Sequence, residues 1–371
     1  MSLRIQKNLS LTVMTILHFF VDLICIITLL MRFDVADEVM LYLVLTYNFT
    51  AFMLQPFLGY LLDRFEKRID ERIIIATSFL FLFIIVAIAP FTRTSDYLVV
   101  LAGLVLGLGN ALFHVAAGKS VLKAATKSRD GGIFVSSGAL GICLGSIIYV
   151  YNDLVMAIVV LGASFIAVTY LCWTMVSIGR IERTPQTKEE KHSTSEIVII
   201  LVMIALAAFL RSFGGFAFKT DVAFNTILIS AVVGAGAFVG KFIGGFLYDL
   251  FKGVVLIITS LVISVTSLIM LNFVVGDIYL VFLFLFGIGI NLLMAYTLDI
   301  SKRMLNRHEG TAFGLPAALL FPGMLLAIMY KTLNASNQYL LIFVVVNIAL
   351  LVVAEFFLRK NKHDSRSPAN R

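Results

Sequence analysis

The sequence predicts an all-α integral membrane protein, with twelve transmembrane helices in two pseudo-symmetric halves of six and both termini cytoplasmic. Three observations carry that expectation. The 371 residues are 60% hydrophobic and 14% charged, with a mean hydropathy of +1.00, where soluble domains run about 25% charged. Apolar runs of about 20 residues, the length a helix needs to cross a bilayer, recur from end to end. The longest polar interruption before the tail, GRIERTPQTKEEKHSTSE at residues 179–196, leaves six such runs on either side.

The first run, 9–30, follows the basic start MSLRIQKN. It is longer than the apolar region of a signal peptide and has no small-residue cleavage site, so it stays as the first helix. The second, 39–62, ends in QPFLGYLLDRFEKR, and the third is 73–91. The fourth and fifth, 97–118 and 131–151, are glycine-rich. Gly103 and Gly107 on one, and Gly138, Gly141 and Gly145 on the other, form small faces suited to close helix packing. The sixth, 154–178, closes the first half. The second half runs 196–218, 225–248 (with a small face of Gly236, Gly240 and Gly244), 253–273, 278–298, 310–330 and 338–358. Pro316 and Pro322 predict a bend in the eleventh helix. The domains are therefore a six-helix bundle over 1–178, a cytoplasmic linker over 179–195, a second bundle over 196–358 and a cytoplasmic tail over 359–371.

Orientation follows from the 29 Lys and Arg, since basic residues are retained on the cytoplasmic side. With the N-terminus inside, 23 fall in cytoplasmic segments, whereas Arg32, Arg93, Lys219 and Lys331 face the other side and Arg211 and Lys241 lie within helices. The asymmetry accounts for the net charge of +7 and makes anionic lipid headgroups, rather than nucleic acid, the expected partner. The chain is expected as a multi-pass monomer of the cytoplasmic (inner) membrane. Cys25, Cys143 and Cys172 all fall in apolar runs without CxxC or CxxH spacing and read as core residues. No metal site, cofactor or nucleotide-binding loop is expected.

A weak internal repeat relates the halves. QPFLGYLLDRFEKR closes the second run and GKFIGGFLYDLFKG the eighth, each placing Gly and then Asp four residues on at the cytoplasmic surface: Gly59 and Asp63, Gly245 and Asp249. Repeats related by an axis along the membrane normal are a transporter architecture. The stretch from Gly59 through Asp63, Arg64, Lys67 and Arg68 resembles the loop signature of the major facilitator superfamily, with Glu66 where that pattern usually has Gly. The resemblance implies the major facilitator fold. In physical terms, Asp63 and the nearby Arg64 and Arg68 would pair with each other and with a helix N-terminus of the other half, and such contacts, broken and remade, bias two packings of the halves.

Three further stretches narrow the resemblance. LHFFVD (His18, Asp22), QPFLGYLLD and GLGNALFH (Gly107, Gly109, Asn110, His114), followed by SSGALGICLG, are similar to the fosmidomycin-resistance branch of the superfamily. That branch implies an exporter associated with drug resistance, its name-giving substrate a small phosphonate. The sequence departs from the branch where Val115 follows His114, a place usually held by Pro.

Buried polar residues mark the candidate solute and proton sites. A central Asp costs about 3 kcal/mol to insert, so Asp22, roughly 20 Å from the cytoplasmic end of its helix, faces the bundle interior. His18 lies four residues before it on the same face. Together they read either as a pair that exchanges a proton as water access changes sides or as a structural contact between helices. Asn110 and His114 share a face of the fourth helix. Arg211, roughly 22 Å deep, needs an anion, either Asp22 or a solute group, unless it snorkels. Lys241, roughly 10 Å deep, reads as part of the cytoplasmic gate or as snorkelling to the headgroups. Asn48, Gln55 and Asn291 add neutral contacts.

The function expected is secondary active transport of a small anionic or amphiphilic organic solute by alternating access, as proton-coupled efflux by antiport, with export implied by the resemblance alone. Uptake of an organic anion or sugar is the nearest alternative. An integral-membrane enzyme on lipid-linked substrates, with His18, Asp22 and His114 catalytic, belongs to another class. It fits less well, because the polar groups are scattered near the midplane. A non-transporting sensor would need an output domain, and none is evident.

Overall fold

The computed structural model describes residues 3–33, 35–92, 94–151, 153–179, 183, 193–217, 226–332 and 338–364. Most of the expected linker, Arg93, Lys219 and the end of the tail lie outside the described residues. Twelve described helices are long and apolar enough to cross a membrane: Ile5–Met31, Glu38–Arg64, Glu71–Thr92, Asp96–Ala124, Ser128–Val150, Leu154–Ile178, Thr194–Phe216, Ile227–Phe251, Gly253–Met270, Asp277–Met304, Glu309–Tyr330 and Leu340–Arg359. They are the first to twelfth spans below. Each matches one predicted run, and the end that carries residues 5–7 and 302 is called the basic end.

Three boundaries differ for a physical reason. The fourth span continues six residues past its predicted end to Ala124, and the third begins at Glu71. Lys119, Lys123 and Glu71 are buried inside the helices rather than solvated in loops, because each has an opposite charge beside it. The eighth and ninth spans are joined with helical geometry throughout Thr226–Met270, where a loop was expected at 249–252. The chain still doubles back there. Ile288 of the tenth span abuts Gly240 while its neighbour Gly289 abuts Ser264, two levels that would be about 36 Å apart on a straight helix.

Prolines explain most other irregularities. Proline leaves the carbonyl four residues earlier without its helical donor, and two of these orphans are met by side chains. Val86, four before Pro90, accepts from Arg32 Nη2 at 3.3 Å, and Ala312, four before Pro316, accepts from Ser301 Oγ at 2.7 Å. The eleventh span breaks at Leu319, as the prolines predict, and the second carries a π-turn at Phe49–Met53 just before Pro56.

Two hydrophobic cores form, one from the first six spans around Leu17, Ile24, Leu82 and Phe113, joined by Leu298, Ala312 and Phe313 of the second half, the other from the last six around Ile204, Phe213, Phe286 and Tyr296. The two lobes meet along two seams. The fifth span lies on the eighth, from Gly245 against Arg129 to Gly234 against Cys143, and the second lies on the eleventh, from Gly59 against Gly310 to Phe49 against Phe321.

Candidate transport site and lobe junction

The first, fourth and fifth spans bring one polar cluster into the first lobe. His18 and Asp22, one turn apart, are buried, with His18 Nε2 3.4 Å from Asp22 Oδ2. His114 Nε2 lies 3.7 Å from Asp22 Oδ1, and Asn110 Nδ2 donates to the same oxygen at 3.3 Å. All four residues expected from the first and fourth helices therefore meet. Chain spacing does not show this convergence, because it crosses two helices.

The ring protons are assigned by their partners. His18 Nδ1 is 2.7 Å from Phe134 O, and His114 Nδ1 is 3.0 Å from Asn110 O. A carbonyl only accepts, so each ring carries its proton on Nδ1. That leaves two Nε2 lone pairs facing each other at 3.0 Å, an arrangement that repels unless one positive charge lies between them. Asp22 supplies the countercharge. Beside them Asn110 Oδ1 is buried and has no hydrogen-bond partner among the described residues, a state that ordinarily costs about 1–3 kcal/mol. Gly138 of the fifth span closes the cluster, since a Cβ there would collide with Asp22 Oδ2 and His18 Nε2.

Arg211 lacks the partner suggested for it, whereas the Lys241 backbone packs against Gly132 on the seam between the lobes. Arg211 lines a small cleft inside the second lobe with Gly214, Ser260, Ser264, Ile290 and Asn347, and neither it nor Lys241 is ion-paired with a carboxylate among the described residues. Asp22 does not answer Arg211, because its partners come from its own lobe. Lys241, read as a gate or headgroup residue, lies within electrostatic reach of both Asp22 and Arg211. The eighth span runs on to Phe251, so Lys241 sits deeper than a count from residue 248 implied. Asn48, Gln55 and Asn291 donate to carbonyls one turn back on their own helices, at 2.7, 2.8 and 3.0 Å, and none joins the His–Asp cluster.

At the basic end the internal repeat becomes a pair of reciprocal caps. Asp63 Oδ1 accepts from the Gly310 N–H at 3.0 Å, and Oδ2 accepts from the Thr311 N–H and hydroxyl, each at 2.8 Å. Asp249 accepts from the Ser128 and Arg129 N–H groups at 3.0 and 3.2 Å. Each carboxylate ends the second span of its own lobe and sits on the N-terminus of a span of the other lobe, where the helix dipole favours negative charge. Gly59 and Gly245 permit the approach, because a Cβ at either would strike the backbone across the seam.

The cations at this junction are not the expected ones. Arg64 donates to Tyr60 Oη at 3.2 Å and lies over the Phe65 ring, while Arg64 and Arg68 are both exposed. They stand on the outer side of the turn, away from Asp63. In their place Lys119 Nζ lies 3.1 Å from Asp63 and 3.7 Å from Glu71, and Lys123 Nζ lies 2.6 Å from Glu66 and 2.7 Å from Glu71. Arg183 donates to Glu309 at 2.7 and 2.8 Å and to Glu66 at 3.4 Å. One chain of charges thus links the second, third and fourth spans to the eleventh. Burial pushes the Glu66 carboxyl up, but Lys123, Lys119 and Arg183 outweigh it and hold the group below its ordinary value. The bond to Glu309 raises Arg183.

Lys119, Lys123, Glu71, Arg183 and Glu309 were absent from the expected site. The i, i+4 spacing of the two lysines on one helical face was the available signal, masked by reading charge as loop.

Comparison with known proteins agrees with this architecture. The Major Facilitator Superfamily profile matches residues 11–328, and the chain belongs to that superfamily. No curated protein matches the chain. The fold is similar to that of the E. coli fucose:proton symporter (14% identity over 95% of this chain and 99% of that one, TM-score 0.65). A bacterial homologue of the iron transporter ferroportin, in an outward-facing state, is also similar (13% identity, 98% and 100% covered, TM-score 0.61). So is the human organic anion transporter MFSD10 (13% identity, 95% and 99% covered, TM-score 0.68).

Proposed function

We propose that this member of the major facilitator superfamily exports a small anionic or amphiphilic organic solute across the cytoplasmic membrane in exchange for protons. The observation that carries the reading is the pair of reciprocal caps. Asp63 and Asp249 tie each lobe to a helix N-terminus of the other at the same end of the molecule, so separating the lobes there breaks both ties together. With the basic end in the cytoplasm, as the Lys and Arg distribution indicates, this is a cytoplasmic gate, and its opening and closing is the alternating-access step.

Lys241 and Arg211 supply the anion preference. Two half-buried cations, neither ion-paired with a carboxylate among the described residues, favour an anion that completes them. Asp22 with its two histidines holds the coupling proton, since the facing Nε2 atoms require one positive charge between them. Export itself rests on the likeness of the His18, Asp22 and His114 stretches to the fosmidomycin-resistance branch.

The test is flux in proteoliposomes. Under an imposed pH gradient a panel of phosphonates, carboxylates, sugars and hydrophobic cations is scored for exchange. Anion movement that depends on the gradient, and that falls in Arg211→Gln or Lys241→Gln, is the expected result. Transport of cations or neutral sugars alone rejects the anion reading, and flux indifferent to the pH gradient rejects proton coupling.

A further inference from the structure

We propose that His18, Asp22 and His114 form a binding site for one divalent first-row transition-metal ion, of which Zn2+ is the representative, held between the two Nε2 atoms. The donor set comes first. Two imidazole nitrogens and a carboxylate suit zinc and its neighbours, whereas calcium and magnesium take oxygen ligands.

The spacing fits such an ion. Metal–nitrogen and metal–oxygen distances of about 2.0–2.2 Å in tetrahedral geometry place ligand atoms about 3.3–3.5 Å apart. The two Nε2 atoms are 3.0 Å apart, and the carboxylate meets them with different oxygens, Oδ2 3.4 Å from His18 Nε2 and Oδ1 3.7 Å from His114 Nε2, so that one donor atom from each residue lies within 4.8 Å of the others. Both rings already have the second-shell support of ligating histidines, each Nδ1–H donating to a backbone carbonyl and leaving Nε2 free to bind a metal. No other cluster of His, Cys, Asp and Glu among the described residues brings three such donors together.

A second, independent observation lies beside the cluster. Asn110 is buried and its Oδ1 is unpartnered among the described residues, while its Nδ2 orients Asp22. A buried carbonyl oxygen without a donor can accept from a metal-bound water. Gly138 keeps the pocket free of a side chain, and its missing Cβ is what allows Asp22 and His18 to stand together.

The proposal does not depend on transport. A metal ion and a proton are rival occupants of the same space, and metal binding stands or falls on the donors alone. The full chain, purified in detergent and treated with chelator, is titrated with Co2+. The expected result is visible d–d absorption saturating at one ion per chain and abolished by excess Zn2+. His114→Gln and Asp22→Asn are each expected to weaken it on the order of 100-fold or more, and Gly138→Ala to weaken it with every ligand retained.

Where a variant fails to fold, zinc-edge X-ray absorption on the wild-type chain decides. Two imidazoles in the first shell support the site, and an oxygen-only shell overturns it. Absence of saturable Co2+ absorption in the wild type, or absorption unchanged in folded His114→Gln and Asp22→Asn, also overturns it. Proton-driven flux in chelated vesicles reads the transport proposal separately, so metal binding without flux and flux without metal binding reject different claims.

Discussion

Lys119 is fully buried at the basic end, and its Nζ lies 3.1 Å from Asp63 Oδ1, the oxygen that also accepts the Gly310 N–H. The cap on the eleventh span is therefore a buried ion pair as well as a helix cap. Its counterpart Asp249 makes two backbone bonds to Ser128 and Arg129 and no ion pair among the described residues. The repeat is symmetric in its bonds and asymmetric in its charge balance.

That asymmetry predicts unequal effects of removing the two carboxylates. Losing a cap costs about 0.5–2 kcal/mol, and losing Asp63 also removes the nearer of the two carboxylates beside buried Lys119, leaving it Glu71 at 3.7 Å, which adds to the cost of the cap. Asp249→Ala should shift the closed-to-open balance up to about 30-fold, and Asp63→Ala by more. Double electron–electron resonance between spin labels at the basic ends of the second and eleventh spans reads the balance. Equal shifts in the two variants would contradict the role given to Lys119.

Gly59 supplies a steric test of the same junction. A Cβ at Gly59 would collide with the Gly310 backbone, which cannot swing aside as a side chain can, whereas a Cβ added at Gly131 or Gly162 would meet nothing within 4 Å. Gly59→Ala should open the seam and reduce flux, with Gly131→Ala and Gly162→Ala indistinguishable from wild type. The alanine controls matter because Gly→Ala within a helix is otherwise stabilising by roughly 0.5–1 kcal/mol. A Gly59→Ala protein with wild-type flux and label distances would remove the glycine from the gate.

The twelve spans were legible because lipid imposes one rule, length and apolarity, on every one of them. The Asp63 and Asp249 caps were legible because the repeat placed like residues at like helix ends. Lys119, Lys123 and Glu71 were not, because burial of a charge is decided by its partner, and these partners arrive from other helices. The same limit explains the pairing of Asp22. Depth along separate helices suggested Arg211, but lateral position within the lobe decides contact, and the neighbours there are His18, His114 and Asn110.

Glu66 gives the junction one acid-sensitive contact. Its carboxyl is held below the unpaired value by Lys123, Lys119 and Arg183 despite burial. A depressed carboxylate contributes fully above the unpaired value of about 4.3 and loses that contribution as pH falls through the depressed one. The contribution of Glu66 to the closed population should therefore be constant from about pH 8 to pH 5 and be lost only in acid below about 4.3. Glu66→Gln should lower the closed population at neutral pH and shrink the acid step. A neutral-range transition in label distance that survives Glu66→Gln would place the sensing group elsewhere.

Asp22 makes no hydrogen bond or ion pair with Lys241 or Arg211 among the described residues, but it lies within electrostatic reach of Lys241, which in turn lies within reach of Arg211. Coupling in a double-mutant cycle follows that arrangement. Residues in one charge cluster show interaction energies of about 0.5–3 kcal/mol, and independent ones add within about 0.3–0.5 kcal/mol. With solute affinity as the readout, Asp22→Asn combined with Lys241→Gln should depart from additivity, because removing either charge changes the field at the other. Asp22→Asn combined with Arg211→Gln should be additive within that error. Strong coupling of Asp22 to Arg211 together with none to Lys241 would mean that the two lobes close around the solute in an order this packing does not contain.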